Sequence, residues 1–120
     1  MPLALIVDDN DKNRKLAAEV LSAAGFRTLE AETGAEALAR AGEHVPDVIL
    51  MDLRLPDIDG AEAARKLVDD DRTARIPVVA MSALPLEGRG DWLEAAGFAG
   101  SVSKPIDVAT FADEVRGFCG

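Results

Sequence analysis

The sequence predicts a three-layer α/β protein, in which a parallel sheet of five strands lies between helices on both faces. Short apolar runs alternate with longer amphipathic segments five times along the 120 residues, which is typical of a (βα)5 chain. The runs Leu3–Val7 and Val48–Met51 are continuous, as expected of strands buried on both faces. Arg27–Ala31 alternates polar with apolar residues, as edge strands do. These patterns favour the strand order 2-1-3-4-5, and a closed eight-stranded barrel needs about twice this length.

The first half of the chain contains two predicted helices between these three strands. One spans Lys12–Ala24, with Asn10 or Asp11 as its cap and Gly25 at its end. Thr33 and Glu36 form a capping-box pattern that opens the second helix, which we end at about Ala41, with His44 in the following loop. The face of the first helix that we expect to be buried carries Leu16, Ala17, Val20, Leu21 and Ala24.

The second half of the chain continues the alternation. We predict strands at Pro77–Met81 and around Val102, and helices from Asp59 through Val68, over Glu87–Ala96, and from Asp107 to Phe118. Gly88 and Gly90 weaken the helix Glu87–Ala96, because glycine costs about 1 kcal/mol relative to alanine. Asp107 is the predicted cap of the last helix, whose inward face carries Val108, Phe111, Ala112, Val115 and Phe118.

The composition limits the kinds of partner that the chain can bind. A net charge of −9 repels nucleic acid and anionic lipid, so we expect no direct nucleic-acid binding. No stretch approaches the roughly 20 apolar residues of a membrane span, and the N-terminal segment lacks the basic start and cleavage site of a signal peptide. With the single Cys119 no internal disulfide can form. A cytoplasmic location is therefore expected.

Polar residues follow four of the predicted strands at the point where each strand ends. Asp8 and Asp9 follow the first strand, Asp52 the third, Ser82 the fourth and Lys104 the fifth. The carboxyl ends of parallel strands meet at one sheet edge, and ligands bind there where the strand order reverses, which is between strands one and three. The three aspartates should meet at that point.

Three carboxylates in one crevice repel one another unless a cation lies between them. An all-oxygen site of this kind suits Mg²⁺, with Mn²⁺ as an alternative. Lys104 adds a positive charge and Ser82 a hydroxyl donor. This set predicts a pocket for a tetrahedral anion carried by a carboxylate, and aspartate is an established nucleophile for phosphoryl groups.

Four segments resemble the two-component response-regulator receiver domain. They are LIVDDN (Leu5–Asn10), VILMDLRLPDIDG (Val48–Gly60), VVAMSA (Val78–Ala83) and SKPID (Ser103–Asp107). The similarity runs from about Leu3 to Phe118, so residues 1–120 are interpreted as one receiver domain. The family has a flavodoxin-like sandwich, and the strand order 2-1-3-4-5 is partly taken from it.

The resemblance implies a role for each acidic site residue. Asp52 matches the phosphorylated aspartate of the family. Asp8 and Asp9 match the acidic pair that holds Mg²⁺, and the backbone carbonyl of Arg54 matches a further metal ligand. The implied donor is a phosphohistidine on a histidine kinase or phosphotransfer protein. The receiver itself would catalyse this transfer and the later hydrolysis, without being a conventional enzyme.

The resemblance also implies how the domain switches. Ser82 matches the switch hydroxyl, and Lys104 matches the lysine that pairs with the phosphoryl group. The peptide between Lys104 and Pro105 is usually cis in the family. Ser101 stands where the family usually carries an aromatic switch residue, so the usual coupled rotation is not expected. We expect no output domain after Phe118, and a stand-alone receiver that acts through a protein target is favoured over one excised from a larger regulator.

Three alternative interpretations fit these residues less well. A degenerate receiver would act as a phosphorylation-independent interaction module, but all five site residues are present. A phosphatase of the haloacid-dehalogenase type needs an acid two residues after its nucleophile, where this chain has Arg54. A flavodoxin-like cofactor binder needs a phosphate-cradling loop after the first strand, where this chain has Asp8–Asp11.

Overall fold

The chain folds into a five-stranded sheet flanked by helices, as seen in a computed structural model that describes residues 2–82, 95–103 and 106–119, without the side chains of Ser82 and Ser103. The strands are β1 (Leu3–Val7), β2 (Arg27–Ala31), β3 (Val48–Asp52), β4 (Val78–Ser82) and β5 (Gly100–Ser103). The helices within this part of the chain are α1 (Asp11–Ala23), α2 (Gly34–His44), α3 (Gly60–Asp69) and α4 (Phe111–Phe118).

The sheet is entirely parallel, and its order is β2-β1-β3-β4-β5, which confirms the predicted topology. Register pairs Val7 with Met51 and Asp52 with Met81. The carboxyl ends of β1 and β3 are therefore neighbours at the position where the strand order reverses.

Apolar side chains on the two faces of the sheet form two cores. Leu5, Ile49 and Met51 contribute to the core under α2 and α3. Ile6 and Leu50 contribute to the core on the other face, under α1 and α4. The inner strands are buried on both sides because successive side chains point to opposite faces and helices cover each face.

Helix α1 buries most of the predicted amphipathic face, with Leu16 as the exception. Leu16 was expected to be buried but is 38% exposed, whereas Arg14 is buried. Ala17 and Leu21 are buried as predicted. Asn10 is the cap, because its side chain accepts the N–H of Asn13. The burial of Arg14 has a polar cause, since its guanidinium is bonded to carboxylates and to a backbone carbonyl.

Helix α2 is longer than predicted. It ends at His44 rather than at about Ala41, so the placement of His44 in a loop was wrong. The helix ends there because Val45 adopts a left-handed conformation, φ 44° and ψ 66°, while its N–H still donates to the carbonyl of Ala41 and closes the last turn. A left-handed cap of this type closes a final turn without glycine, at a steric cost for a β-branched residue.

Two predictions for the last helix were also wrong. Asp107 was predicted to cap it, but the helix begins at Phe111. The carboxylate of Asp107 instead accepts the N–H of Ala109, and residues 108–110 form a turn. Val108 therefore lies before the helix and is 61% exposed, although Phe111 and Val115 are buried as expected.

Helix α3 agrees with its predicted start, because the Asp59 side chain accepts the N–H of Glu62. The predicted helix Glu87–Ala96 lies outside the described residues except at its end, where residues 95 and 96 are helical. Across the described ranges, none of the helices is long and apolar enough to cross a membrane.

Candidate functional site

Three aspartates come together at the carboxyl edge of the sheet. Asp8 and Asp9 follow β1, and Asp52 is the last residue of β3. One carboxylate oxygen from each lies within 4.8 Å of those of the other two. The neighbouring strand ends bring them together, as the strand order requires.

The three carboxylates differ in exposure. Asp8 is 1% exposed and Asp52 is 8% exposed, whereas Asp9 is exposed to solvent. Two acids therefore line the base of the crevice, and the third stands at its mouth. Buried carboxylates at this separation are stable as anions only where positive charge or hydrogen-bond donors face them.

Two backbone N–H groups orient the buried carboxylates. The N–H of Asn10 donates to Oδ1 of Asp8 at 2.9 Å. The N–H of Arg54 donates to Oδ1 of Asp52 at 3.0 Å. In each case the donor is two residues after the aspartate, so the chain turns tightly over its own side chain. These turns hold both carboxylates at the sheet edge.

The first residue of α3 packs directly on the backbone of the site. A Cβ on Gly60 would lie 2.6 Å from the carbonyl oxygen of Asp52 and 2.8 Å from Cα of Leu53. The N–H of Gly60 donates to the carbonyl of Leu53 at 3.0 Å. Only glycine allows this approach. The loop 53–59 therefore begins beside Asp52 and ends against the backbone of Asp52 and Leu53.

Arg54 lies at the start of this loop. Its backbone pairs with that of Asp59 in an isolated antiparallel bridge, and its side chain is exposed. The bridge holds the Arg54 peptide beside Asp52. The use of the Arg54 carbonyl as a metal ligand stays a prediction.

Arg14 is a residue of the site region that sequence analysis missed. It is 6% exposed, and its Nη1 donates to the backbone carbonyl of Asp8 at 2.8 Å. Its other nitrogens bond to acidic side chains of α1 and of the β2 end: Asp11, Glu30 and Glu32. Burial opposes the charge, but the bonds to Asp11 and Glu30 raise the pKa of Arg14 above its ordinary value.

Asp57 is a second residue that sequence analysis missed. Its carboxylate accepts the N–H groups of Gly34, at 2.8 Å, and Ala35, at 2.9 Å, at the start of α2. These two bonds lower the pKa of Asp57 below its ordinary value. In the sequence, Asp57 is visible only as an aspartate without an assigned role in the loop after β3. The tertiary structure is needed to show that its partners are two N–H groups of α2.

Parts of the predicted site lie outside the described residues. The backbone of Ser82 ends β4 and pairs with Ser103, but its side chain lies outside the described residues, as do Lys104 and Pro105. Ser101 lies in β5, pairs with Ala80 and is exposed. The catalytic, switch and structural roles assigned to these residues stay predictions.

The described geometry suits a hard divalent cation. The donor set consists of three carboxylates with no sulfur or imidazole, and one of the three is open to solvent. Such a set matches Mg²⁺, which keeps several water ligands and binds through a small number of carboxylates. The residues present therefore fit the metal that the sequence predicts.

Comparison with known proteins agrees with this geometry. The response regulator receiver domain model matches residues 4–116. The polar-differentiation response regulator DivK of Brucella anthropi is 39% identical over 116 residues, which cover 97% of this chain and 94% of that protein. The Brucella abortus protein of the same name is 38% identical over the same share of both chains.

Solved structures show the same fold. The chemotaxis response regulator CheY4 of Vibrio cholerae superposes with a TM-score of 0.92 at 25% identity, covering 98% of both chains. The receiver domain of a Pseudomonas aeruginosa sensor histidine kinase gives a TM-score of 0.89 at 29% identity and covers 99% of this chain and 98% of that one. That receiver is described with a magnesium ion coordinated in its active-site cleft.

Proposed function

This chain belongs to the response regulator receiver domain family, and from that membership we propose that it accepts a phosphoryl group on Asp52 and signals by binding other proteins. The observation that carries the proposal is the position of Asp52. It ends an inner strand, is 8% exposed, and has a carboxylate oxygen within 4.8 Å of oxygens from Asp8 and Asp9. An aspartate so placed has most of its surface covered by the protein, and only a small part is left for a phosphoryl donor to reach.

Asp8, Asp9 and Asp52, with the backbone carbonyl of Arg54, would hold Mg²⁺, and Mn²⁺ fits the same oxygen donors. When bound, the cation neutralises the carboxylates and the phosphoryl oxygens during transfer. The exposure of Asp9 leaves room for water ligands and for the incoming group. The magnesium described in the Pseudomonas receiver supports this assignment by analogy.

Transfer needs little from the protein beyond position and charge. One oxygen of Asp52 forms the bond to phosphorus while the bond from phosphorus to the histidine nitrogen of the donor breaks. The bonding electrons stay on that nitrogen, which then takes up a proton. The Arg54 N–H holds the Asp52 carboxylate at 3.0 Å during this exchange. Later hydrolysis by water returns Asp52 to the carboxylate and releases phosphate.

Ser82 and Lys104 complete the proposed site by family resemblance. Lys104 would pair with the phosphoryl oxygens, and the Ser82 hydroxyl would donate to them. Ser101 replaces the usual aromatic residue, so the switch would depend more on the loop after β4. The phosphoryl donor would be a histidine kinase or histidine phosphotransfer protein, the target another protein, and the location the cytoplasm.

The direct test is incubation with acetyl phosphate, with and without Mg²⁺, followed by intact-mass measurement. We expect one added phosphoryl group that requires Mg²⁺ and is absent from Asp52→Asn. A short-lived adduct would be detected instead by a beryllofluoride titration monitored through Trp92 fluorescence. If neither experiment responds, the chain is a degenerate receiver that acts as a phosphorylation-independent interaction module.

A further inference from the structure

The loop that follows Asp52 is fastened to the start of α2. Two oxygens of the Asp57 carboxylate accept two successive N–H groups of that helix, at 2.8 Å from Gly34 and 2.9 Å from Ala35. The first N–H groups of a helix have no partner within the helix, and the helix dipole favours negative charge at this end. Asp57 therefore acts as a cap supplied from 23 residues away in sequence.

A packing contact reinforces this cap. Gly34 lies so close to Ile58 that a Cβ at position 34 would approach Cγ1 of Ile58 to 2.4 Å and Cδ1 to 2.6 Å. Ile58 is half-buried and packs against the core beneath α2 and α3. The loop is thus held to α2 by two charge-assisted hydrogen bonds and by an apolar contact that a larger residue at Gly34 would disturb.

The other end of the same loop is attached to the aspartate crevice. The Arg54 N–H bonds to the Asp52 carboxylate, and the Arg54 backbone pairs with that of Asp59. Arg54 and Asp57 are only three residues apart, so the loop has little length in which to absorb a displacement. A shift of Asp57 away from α2 would consequently move the Arg54 peptide relative to Asp52.

We propose that Asp57 is a positioning residue for the phosphoryl-transfer site, which it serves by fastening the loop 53–59 to α2 and so fixing the Arg54 backbone beside Asp52. This inference rests on the proposed function, since it concerns the peptide whose carbonyl is the expected metal ligand. The residues that orient a metal ligand contribute to affinity although they do not touch the metal.

The same arrangement couples the site to the surface of α2. If the fastened loop favours cation binding, then cation binding must favour the fastened loop by an equal free energy. The N–H groups of Gly34 and Ala35 should therefore exchange with solvent more slowly when the site is filled. This readout lies on α2 and involves none of the three aspartates.

The test compares wild type with Asp57→Ala and Asp57→Asn in the full chain. The matched control is Asp47→Ala, because the Asp47 carboxylate accepts one backbone N–H, from Leu3 at 2.7 Å, at the start of β3 and thus at the opposite edge of the sheet. Mg²⁺ affinity is measured by calorimetry, and the exchange of the Gly34 and Ala35 amides by nuclear magnetic resonance with and without Mg²⁺ and beryllofluoride. Denaturant unfolding shows that each variant is folded.

We expect Asp57→Ala to weaken Mg²⁺ binding by about tenfold, which is the lower range for a residue that orients a ligand. Asp57→Asn should have a smaller effect, since its amide oxygen can still accept one N–H. At saturating Mg²⁺ the phosphorylation rate with acetyl phosphate should return close to that of wild type. Asp47→Ala should leave both Mg²⁺ affinity and rate unchanged.

Two outcomes separate this inference from the proposed function. If wild type binds Mg²⁺ and a folded Asp57→Ala binds it equally well, the positioning role is wrong while the receiver chemistry stands. If wild type neither binds Mg²⁺ nor becomes phosphorylated, both are overturned. Unchanged exchange of Gly34 and Ala35 on filling a site that does bind Mg²⁺ would also contradict the coupling.

Discussion

Arg14 is an arginine held inside the protein at 6% exposure, and its partners explain why it can stay charged there. One nitrogen donates to the carbonyl of Asp8, and the others bond to three carboxylates on α1 and at the β2 end. These carboxylates, on Asp11, Glu30 and Glu32, are partly to largely exposed. Arg14 therefore joins β1, α1 and β2 at the edge where the phosphoryl group is proposed to bind.

Arg14→Met should destabilise the fold by about 2 kcal/mol, because it removes the donor to the Asp8 carbonyl and leaves three neighbouring carboxylates to repel one another. Urea denaturation at neutral pH measures the effect. Arg72→Met is the matched control, since Arg72 pairs with Asp70 on the surface, where ion pairs contribute little to stability. Equal effects of the two substitutions would contradict the structural role of Arg14.

Asp57 should make a pH-dependent contribution to stability. The N–H groups of Gly34 and Ala35 lower its pKa in the folded state below the ordinary value. The bonded carboxylate therefore stabilises the fold above the unfolded-state pKa of about 4, and this contribution fades as the pH falls through the lower folded-state value. Asp57→Asn should be less stable than wild type at pH near 7, and the difference should shrink near pH 3. A pH-independent difference in urea denaturation would argue against the assigned bonds.

At the scale of the elements, the starts of α1, α2 and α3 were predictable, whereas the start of α4 and the exposure of Leu16 in α1 were not. Asn10, Thr33 and Asp59 cap α1, α2 and α3 as their sequences indicate, because a cap depends on residues only three apart. The exposure of Leu16 in α1 depends instead on how Arg14 is bonded to β2. That contact joins residues 16 positions apart, and the periodicity of α1 contains no information about it.

The close contact of α3 with the backbone of the site makes any substitution of Gly60 destabilising. Gly60→Ala would place a methyl group 2.6 Å from the Asp52 carbonyl oxygen, and backbone atoms cannot move aside as a flexible side chain would. We expect a loss of at least about 2 kcal/mol in stability and slower phosphorylation of Asp52. Gly117→Ala in α4 is the control, because no atom lies within 4 Å of that Cβ and alanine favours a helix by about 1 kcal/mol. Calorimetric melting should therefore move in opposite directions for the two variants.

At the scale of the whole molecule, the sequence patterns together with the family resemblance were sufficient to predict the sheet order and the meeting of Asp8, Asp9 and Asp52. Continuous apolar runs identify inner strands, and parallel strands must end at one edge. Contacts between elements distant in sequence could not be predicted in the same way. Asp57 reaches α2 and Arg14 reaches β2 because the packed elements face one another, and no local pattern specifies such a pairing.

The net charge of −9 and the cluster of three carboxylates together predict that Mg²⁺ stabilises the entire fold. A ligand that binds only the folded state adds RT ln(1 + [L]/Kd), which is about 1.4 kcal/mol when Mg²⁺ is at ten times its Kd. For a domain of this size, that stabilisation raises Tm by about 5 °C.

Scanning calorimetry with MgCl2, compared with NaCl at equal ionic strength, measures the part of the Tm shift that is specific to Mg²⁺. Asp52→Asn should lose most of this shift, because it removes a ligand charge and relieves repulsion in the metal-free protein. An equal shift in the variant would mean that Mg²⁺ acts on the acidic surface in general and not at the crevice.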